Sequence, residues 1–240
     1  MSTNASLLII GNMEVFVVYK NIKNLHLSLL PPTGFIRISA PNGTREDVIR
    51  SFVATKSSWI KKHQQKYRDQ SRQSKREYVS GETHYFLGKP YRLEVINKAD
   101  KNELTIKGKN YFLLKIKTDK TVEQKEKIFN EWYRKELQLI LDELIIKWQA
   151  KIKTFPTHWR IQRMKTKWGS YNPESGRILI NLELIKKPYQ CIEYVVVHEW
   201  LHLMEPKHDE KFLALLDKYL PKWRQTREEL NRFILTYEKW

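Results

Sequence analysis

Three histidines and one glutamate in the last quarter of the sequence have the types and spacing of a catalytic metal site. His198 and His202 are four residues apart in the pattern His-Glu-x-x-His. Residues i and i+4 share one face of a helix, so both imidazoles can reach one ion. Glu199 follows the first ligand, where a carboxylate can act on water at that ion. His208, six residues after His202, is the expected third ligand.

The residues around this motif indicate how the third histidine reaches the ion. An apolar run precedes the motif and predicts that the helix enters a core: Ile192, Tyr194, Val195, Val196 and Val197. Pro206 disfavours helical geometry at Glu205, so the helix should end near Met204 and let the chain turn back. Weaker alternatives for the third ligand are Glu205, Asp209 and Glu210. A solvated helix with two chance histidines is the other interpretation, against which the apolar run argues.

Zinc is the metal that this set of ligands favours. Three neutral imidazoles and one open position suit a catalytic Zn²⁺, whereas Mg²⁺ and Ca²⁺ prefer oxygen ligands. Zinc lowers the pKa of a bound water to roughly 7. We expect Glu199 to accept the proton of that water and to pass it to the leaving group.

The composition is that of a basic, globular chain with one large core or two smaller ones. The 240 residues are 41% hydrophobic and carry a formal net charge of +17. Cys191 is the single cysteine, which excludes an internal disulfide and a cysteine-rich zinc site. No internal repeat is apparent, and the apolar runs are too short for a membrane span or a signal peptide. We therefore expect a cytoplasmic protein with no membrane partner.

The positive charge is concentrated in the first half. Residues 1–120 hold 22 basic and 10 acidic residues, a net charge of +12, against +5 for residues 121–240. Eight basic residues lie between Lys56 and Arg76, with Asp69 as the one acid among them. This run predicts a surface that binds DNA phosphates. The predicted contact residues are Lys61, Lys62, Lys66 and Arg68. A solvated basic helix explains the run equally well, and an anionic lipid surface is a weaker alternative.

The pattern of apolar residues changes near residue 120. Residues 1–120 alternate like short strands around one helix that carries the basic run. Thr121-x-x-Gln124 has the form of a capping box and begins a long amphipathic helix. A hairpin, the metal-binding helix and terminal helices follow. The sequence therefore predicts an α+β protein with two domains, a β-rich basic domain over 1–120 and a second domain over 121–240.

Three spaced motifs in the second half, with looser ones in the first, carry a family resemblance. The strong motifs are Arg163–Ser170, Ile180-Asn181-Leu182-x-Leu184, and Tyr194–Leu203 followed by His208 and Phe212. The looser ones are Ile38–Pro41, Trp59–Ile60 and Gly81–Leu93. In these motifs the chain resembles the YgjP-like metal-dependent hydrolases, a group related to the SprT-like zincin proteases. Metzincin membership is not indicated, because Glu205 replaces the glycine of their turn and no methionine follows Met204.

The resemblance implies a zincin-like second domain, with a small antiparallel sheet beside the HExxH active-site helix. It implies the same three histidine ligands and Glu199 as the base. It also implies that one strand flanks the substrate cleft. The residues of that strand are Trp168, Gly169, Ser170 and Tyr171. The family usually has Cys where this chain has Tyr171. The Tyr171 hydroxyl would donate a hydrogen bond to an oxyanion, or else the side chain packs in place of a small core residue.

Together these features predict a zinc-dependent hydrolase, specifically a metallopeptidase that acts on protein or peptide substrates. SprT-like relatives cleave proteins bound to DNA, and family members occur near type I restriction-modification genes. The resemblance therefore implies DNA-associated substrates and restriction-modification components as partners. The alternative is a nucleic-acid-binding or restriction-modification accessory protein whose metal site is structural. Glu199 argues against that alternative, because a structural site has four protein ligands and needs no base.

Overall fold

The structure is a computed structural model that describes residues 5–30, 34–69 and 76–233, and only the backbone of 66–69. The chain divides into two compact units, with the boundary between residues 74 and 75. The change of pattern pointed to residue 120 instead. The difference arises because the strands after residue 83 pack on the long helix that follows them, so that both share one core.

The first unit is a four-stranded sheet with two helices on one face. Its strands are β1 (Ala5–Ile10), β2 (Met13–Lys20), β3 (His26–Leu30) and β4 (Phe35–Pro41). The spatial order is β1-β2-β4-β3, in which β2 and β4 are parallel and the other pairs antiparallel. Every second side chain faces the helices and is buried, as the period of a strand requires.

Two helices replace the single helix predicted for this unit. They are α1 (Glu46–Thr55) and α2 (Ser57–Asp69), and Ile49, Val53 and Ile60 bury their apolar faces on the sheet. The Thr55 hydroxyl donates to the carbonyl of Phe52, the acceptor that the N–H of Lys56 would use in a continuous helix. The Lys56 N–H bonds Val53 instead, at 3.1 Å, and this tighter turn ends α1.

The second unit begins with another four-stranded sheet and the longest helix. The strands are β5 (Thr83–Phe86), β6 (Lys89–Ile96), β7 (Glu103–Lys107) and β8 (Tyr111–Lys115). Helix α3 (Val122–Gln149) starts with the predicted capping box, in which Thr121 and Gln124 exchange side-chain and backbone hydrogen bonds. Phe112 of β8 packs against Phe129 and Trp132 of α3, with ring centroids 5.6 and 5.2 Å apart. This aromatic layer joins the sheet to the helix.

A three-stranded sheet and the remaining helices complete the second unit. The strands are β9 (His158–Gln162), β10 (Gly169–Asn172) and β11 (Arg177–Asn181). The prediction of an antiparallel sheet is wrong for one pair, because β9 runs parallel to β11 while β10 and β11 form the hairpin. The chain between β9 and β10 passes around the end of β11, which leaves β9 on the opposite side. A 3₁₀ helix (Leu182–Lys186), α4 (Tyr189–Leu201), α5 (Glu210–Tyr219) and α6 (Trp223–Asn231) follow.

The three sheets share one arrangement of strand order and direction, which no repeat in the sequence predicts. In β2-β4-β3, β6-β8-β7 and β9-β11-β10, the first and last strands in sequence are parallel neighbours, and the middle strand pairs antiparallel with the last. The described chain is therefore a mixed α+β protein with three mixed sheets and six α-helices. None of the helices in the described ranges is long and apolar enough to cross a bilayer.

Candidate metal centre and its cleft

Helix α4 carries the HExxH motif through the core of the second unit. It begins after Pro188 and ends at Leu201, so His202 is its C-cap rather than an interior residue. The predicted end at Met204 is three residues too late, because the N–H groups of Leu203 and Met204 bond carbonyls three residues back and tighten the chain. This turn directs the chain back toward His208.

The three predicted histidines come together at this turn. One potential ligand atom from each of His198, His202 and His208 lies within 4.8 Å of the others. The Nε2 atoms of His198 and His208 are 3.0 Å apart. Phe212 is fully buried and lies under all three rings, with centroids 4.6 to 4.9 Å away. A rigid apolar floor thus supports the three imidazoles.

The carboxylates considered as alternative ligands have other partners or lie elsewhere. Asp209 is the N-cap of α5, where its side chain accepts hydrogen bonds from the N–H groups of Lys211 and Phe212. The carboxylate of Glu205 accepts from the Lys207 N–H. Within the described residues, the one group of three or more metal-ligating side chains is the histidine triad.

The arrangement fits a zinc ion. The Nδ1 of His202 faces the carbonyl oxygen of Glu205 at 3.0 Å, and a proton on Nδ1 leaves the Nε2 lone pair free for a metal. Nitrogens bound to tetrahedral zinc at about 2.0–2.1 Å lie about 3.3 Å apart, close to the separation of the His198 and His208 Nε2 atoms. Burial, together with the charges of His202, His208 and Arg227, lowers the pKa of His198 to about 3. A neutral imidazole is the form that binds a metal.

Glu199 is packed directly against strand β10. Its side chain is buried, and a Cβ placed on Gly169 would lie 2.6 Å from Glu199 Cγ and 2.8 Å from Oε1. Real Cβ atoms do not approach so closely, so this position of the strand requires glycine. Burial raises the pKa of the Glu199 carboxyl to about 7, while the Tyr171 N–H and the charge of Lys167 oppose the increase. Proton transfer near neutral pH favours such a carboxyl.

The predicted cleft strand therefore lies beside the predicted base. In the described sheet β10 is an edge strand. The Trp168 carbonyl accepts from the Asn181 N–H, so the backbone groups of Gly169 and Tyr171 alternate toward the free edge. Trp168 and Ser170 are half-buried, and the ring of Tyr171 packs against the core. Of the two roles weighed for Tyr171, its contacts match packing.

Asn181 holds this strand in place, and the sequence assigned it no role. It is completely buried, and its amide makes four hydrogen bonds. The side-chain oxygen accepts from the N–H groups of Met164 and Glu183, and the nitrogen donates to the carbonyls of Met164 and Lys167. The amide clamps the loop before Trp168 onto the end of β11. The signal for this role in the sequence was the position of a polar residue, Asn181, at the end of an apolar strand.

The predicted phosphate-binding residues lie on α2 of the first unit. Lys61 and Lys62 are exposed there. Lys66 and Arg68 belong to the same helix, and their side chains lie outside the described part of the chain. Arg76, at the end of the basic run, forms an ion pair with Glu82 at 3.2 Å.

Comparison with known proteins identifies the family of the chain. The family model described as "YgjP-like, metallopeptidase domain" matches residues 23–233. This protein is a metallopeptidase by class, and the chain belongs to the YgjP-like family.

Two solved structures are similar to part of the chain. The metallopeptidase zymogen abylysin of Pyrococcus abyssi is 17% identical, covering 37% of this chain and 90% of its own, with a TM-score of 0.35. The zymogen jannalysin of Methanocaldococcus jannaschii is 18% identical, covering 40% and 94%, with a TM-score of 0.34. No curated protein matches the chain.

Proposed function

We propose that the protein is a zinc peptidase in which His198, His202 and His208 hold the metal and Glu199 is the general base. The observation that carries the proposal is the convergence of the three imidazoles, within 4.8 Å, beside a buried carboxylate. The described residues offer no fourth protein ligand there. A structural zinc site needs four, so the triad favours catalysis over the accessory role with a structural metal.

The chain's own residues divide the work of hydrolysis. The chemistry that zinc supplies when bound is polarisation of the peptide carbonyl and activation of a water. An extended substrate pairs with the free edge of β10 through the backbone of Gly169 and the carbonyl of Tyr171. Glu199 accepts a proton and returns it to the leaving nitrogen. The Tyr171 N–H holds the carboxylate in position for both transfers.

The first test replaces the base alone. Glu199→Gln keeps the shape of the side chain but cannot accept a proton, so peptide hydrolysis should fall by about 10²–10⁴. Zinc content and the unfolding transition should match the wild type. Peptide cleavage is followed by mass spectrometry on a random decapeptide library. A variant that cleaves at the wild-type rate would remove Glu199 from the mechanism.

The second test replaces the ligands. The double variant His198→Ala/His202→Ala should lose its bound zinc, whereas His26→Ala/His158→Ala, at two exposed histidines outside the triad, should keep one ion per chain. Elemental analysis after exhaustive dialysis measures both. Unchanged zinc in the first variant would contradict the assignment of the triad.

DNA association is a second proposal, and it concerns the first unit. Its support is the 11 basic and 4 acidic residues of 1–74, a net charge of +7, and the exposure of Lys61 and Lys62. Phosphate contacts of this kind are electrostatic and insensitive to sequence. Proteins bound to DNA are then the proposed substrates. Partnership with restriction-modification components and a cytoplasmic location stay predictions.

A further inference from the structure

A buried lysine lies at the end of α4 that is remote from the metal centre. Lys187 directly precedes the N-cap Pro188, and only 8% of its surface is exposed. Its ammonium lies 4.3 Å from the ring centroid of Phe233 and 5.5 Å from that of Trp168. Burial lowers the pKa of Lys187 to about 8, although Glu183 opposes the decrease.

The ammonium has no hydrogen-bonded partner in the described part of the chain. Glu183, the nearest acid on its own segment, pairs instead with Lys186 at 2.7 Å. Glu229 of α6 accepts from Gln190 and Cys191. Buried charges in proteins are ordinarily paired, because desolvation is costly. An unpaired ammonium between two aromatic rings is therefore suited to an anionic group that arrives from outside.

A continuous path joins this lysine to the candidate base. Gly169 touches Glu199, and Trp168, the residue before it, touches Lys187. Tyr189 and Glu199 are ten residues apart along the helix, a rise of about 15 Å. An extended peptide covers that distance in four or five residues, at roughly 3.3 Å each.

The direction of a bound peptide follows from the edge of β10. Antiparallel pairing is more stable than parallel pairing. A peptide paired in this way has its N-terminal side near Asn172 and its C-terminal side near Trp168. Residues on the C-terminal side of the scissile bond therefore extend toward Lys187. Lys167 and Arg227 are both exposed, and their charges act on Glu199 and His198. Lys167 and Arg227 are thus cations close to Glu199 and His198, and Lys187 is the cation at the far end of the path.

We propose that Lys187 binds a carboxylate of the substrate, three to five residues beyond the scissile bond. The carboxylate is the C-terminus of the peptide or the side chain of Asp or Glu. A charge-assisted bond in a desolvated aromatic site is strong enough to select substrates. This inference rests on the proposed peptidase function and adds its substrate class: peptides with a negative charge at that distance.

The test uses two random decapeptide libraries, one ending in a free carboxylate and one in an amide. With the zinc-loaded wild type, cuts in the first library should cluster three to five residues before the C-terminus, at a rate about 10- to 100-fold above the amide library. Clustering at that distance before Asp or Glu in the amide library would assign the side chain as the source. Clustering in the free-acid library alone would assign the C-terminus.

Variants identify the residue responsible. Lys187→Met keeps the unbranched stem between the rings and should abolish the preference, while amide peptides that lack Asp and Glu at that distance are cut at the wild-type rate. Lys187→Arg keeps the charge and should retain the preference. Lys218→Met is the matched control, because Lys218 also lies over an aromatic ring, that of Tyr219 at 5.2 Å, but on the exposed surface of α5.

A binding measurement separates this inference from the peptidase function. The Glu199→Gln protein, loaded with zinc and immobilised, should retain free-acid peptides over amide peptides, and adding Lys187→Met should remove that difference. Retention without cleavage by the wild type would overturn the peptidase and leave the carboxylate site standing. Cleavage of both libraries with no clustering before a C-terminus, Asp or Glu, or a clustering that survives Lys187→Met, would overturn the carboxylate site alone. Neither cleavage nor selective retention would overturn both.

Discussion

The two four-stranded sheets have the same strand order and pairing directions, yet their first turns meet different surroundings. In the β1–β2 turn, a Cβ added to Gly11 would meet nothing within 4 Å. In the corresponding β5–β6 turn, a Cβ added to Gly88 would lie 2.8 Å from Pro188, where α4 begins. The N–H groups of Leu87 and Gly88 also bond carbonyls of the 3₁₀ helix before α4. Equal topology thus leaves space at one turn and makes the other a support for helix α4.

The largest expected difference between the two sheets is in their stability at low pH. His84 of β5 is 4% exposed and stacks on Phe129 at 4.5 Å. Burial, together with the charges of Arg76 and Lys186, lowers its pKa to about 3. As pH falls from about 6.5 toward 3, His84 is protonated in the unfolded chain but stays neutral in the folded chain. The second unit should therefore lose up to about 1.4 kcal/mol of stability per pH unit.

Urea unfolding between pH 7 and 4 measures this loss. Trp59 and Trp240 are the two tryptophans outside residues 75–235, so fluorescence of a Trp59→Phe/Trp240→Phe protein follows the second unit. His84→Phe in that background should flatten the pH dependence. Parallel curves with and without His84 would show that other groups dominate.

A matched pair of glycines tests the two turns directly. Gly11 and Gly88 both have positive φ, 61° and 79°, so alanine introduces about 1 kcal/mol of backbone strain at either position. Gly88→Ala also overlaps Pro188 and should cost about 1–3 kcal/mol more. Peptide hydrolysis should fall in Gly88→Ala and stay unchanged in Gly11→Ala. Equal losses of stability and activity would mean that the β5–β6 turn is no support for α4.

The smallest expected effect concerns DNA and the first unit. Changing Lys61, Lys62, Lys66 and Arg68 to Gln should weaken DNA binding at low salt. It should also flatten the slope of log K against log salt by roughly 0.9 for each phosphate that the variant no longer neutralises. Zinc content should not change. The control replaces four exposed lysines of the second unit: Lys98, Lys109, Lys117 and Lys127. Equal slopes in wild type and the α2 variant would place any DNA site elsewhere.

Local spacing predicted the parts of the molecule that depend on neighbours in sequence. The capping box of Thr121 and Gln124 is four residues long, and it appears as predicted. The structure brings His198, His202 and His208 together, because helix periodicity relates the first two and the turn at Pro206 returns the third. The family resemblance rested on motifs of the same short range.

Long-range pairing was beyond the sequence. The parallel pairing of β9 with β11 joins segments about twenty residues apart, and alternation within a strand is the same for either direction. The split between α1 and α2 depends on which donor the Phe52 carbonyl accepts, since the Thr55 hydroxyl competes with a backbone N–H. The boundary between the units lies before residue 75 rather than near residue 120, because the strands of 83–115 pack through their aromatic side chains on α3.

The close approach of Gly169 and Glu199 makes the two positions an epistatic pair. A side chain at 169 fits only beside a shorter acid at 199, and a shorter acid withdraws the carboxylate from the Tyr171 N–H. A substitution at either position alone would therefore displace the proposed base or the strand. Directed evolution of new specificity in this scaffold should therefore keep both and vary the positions around Lys187.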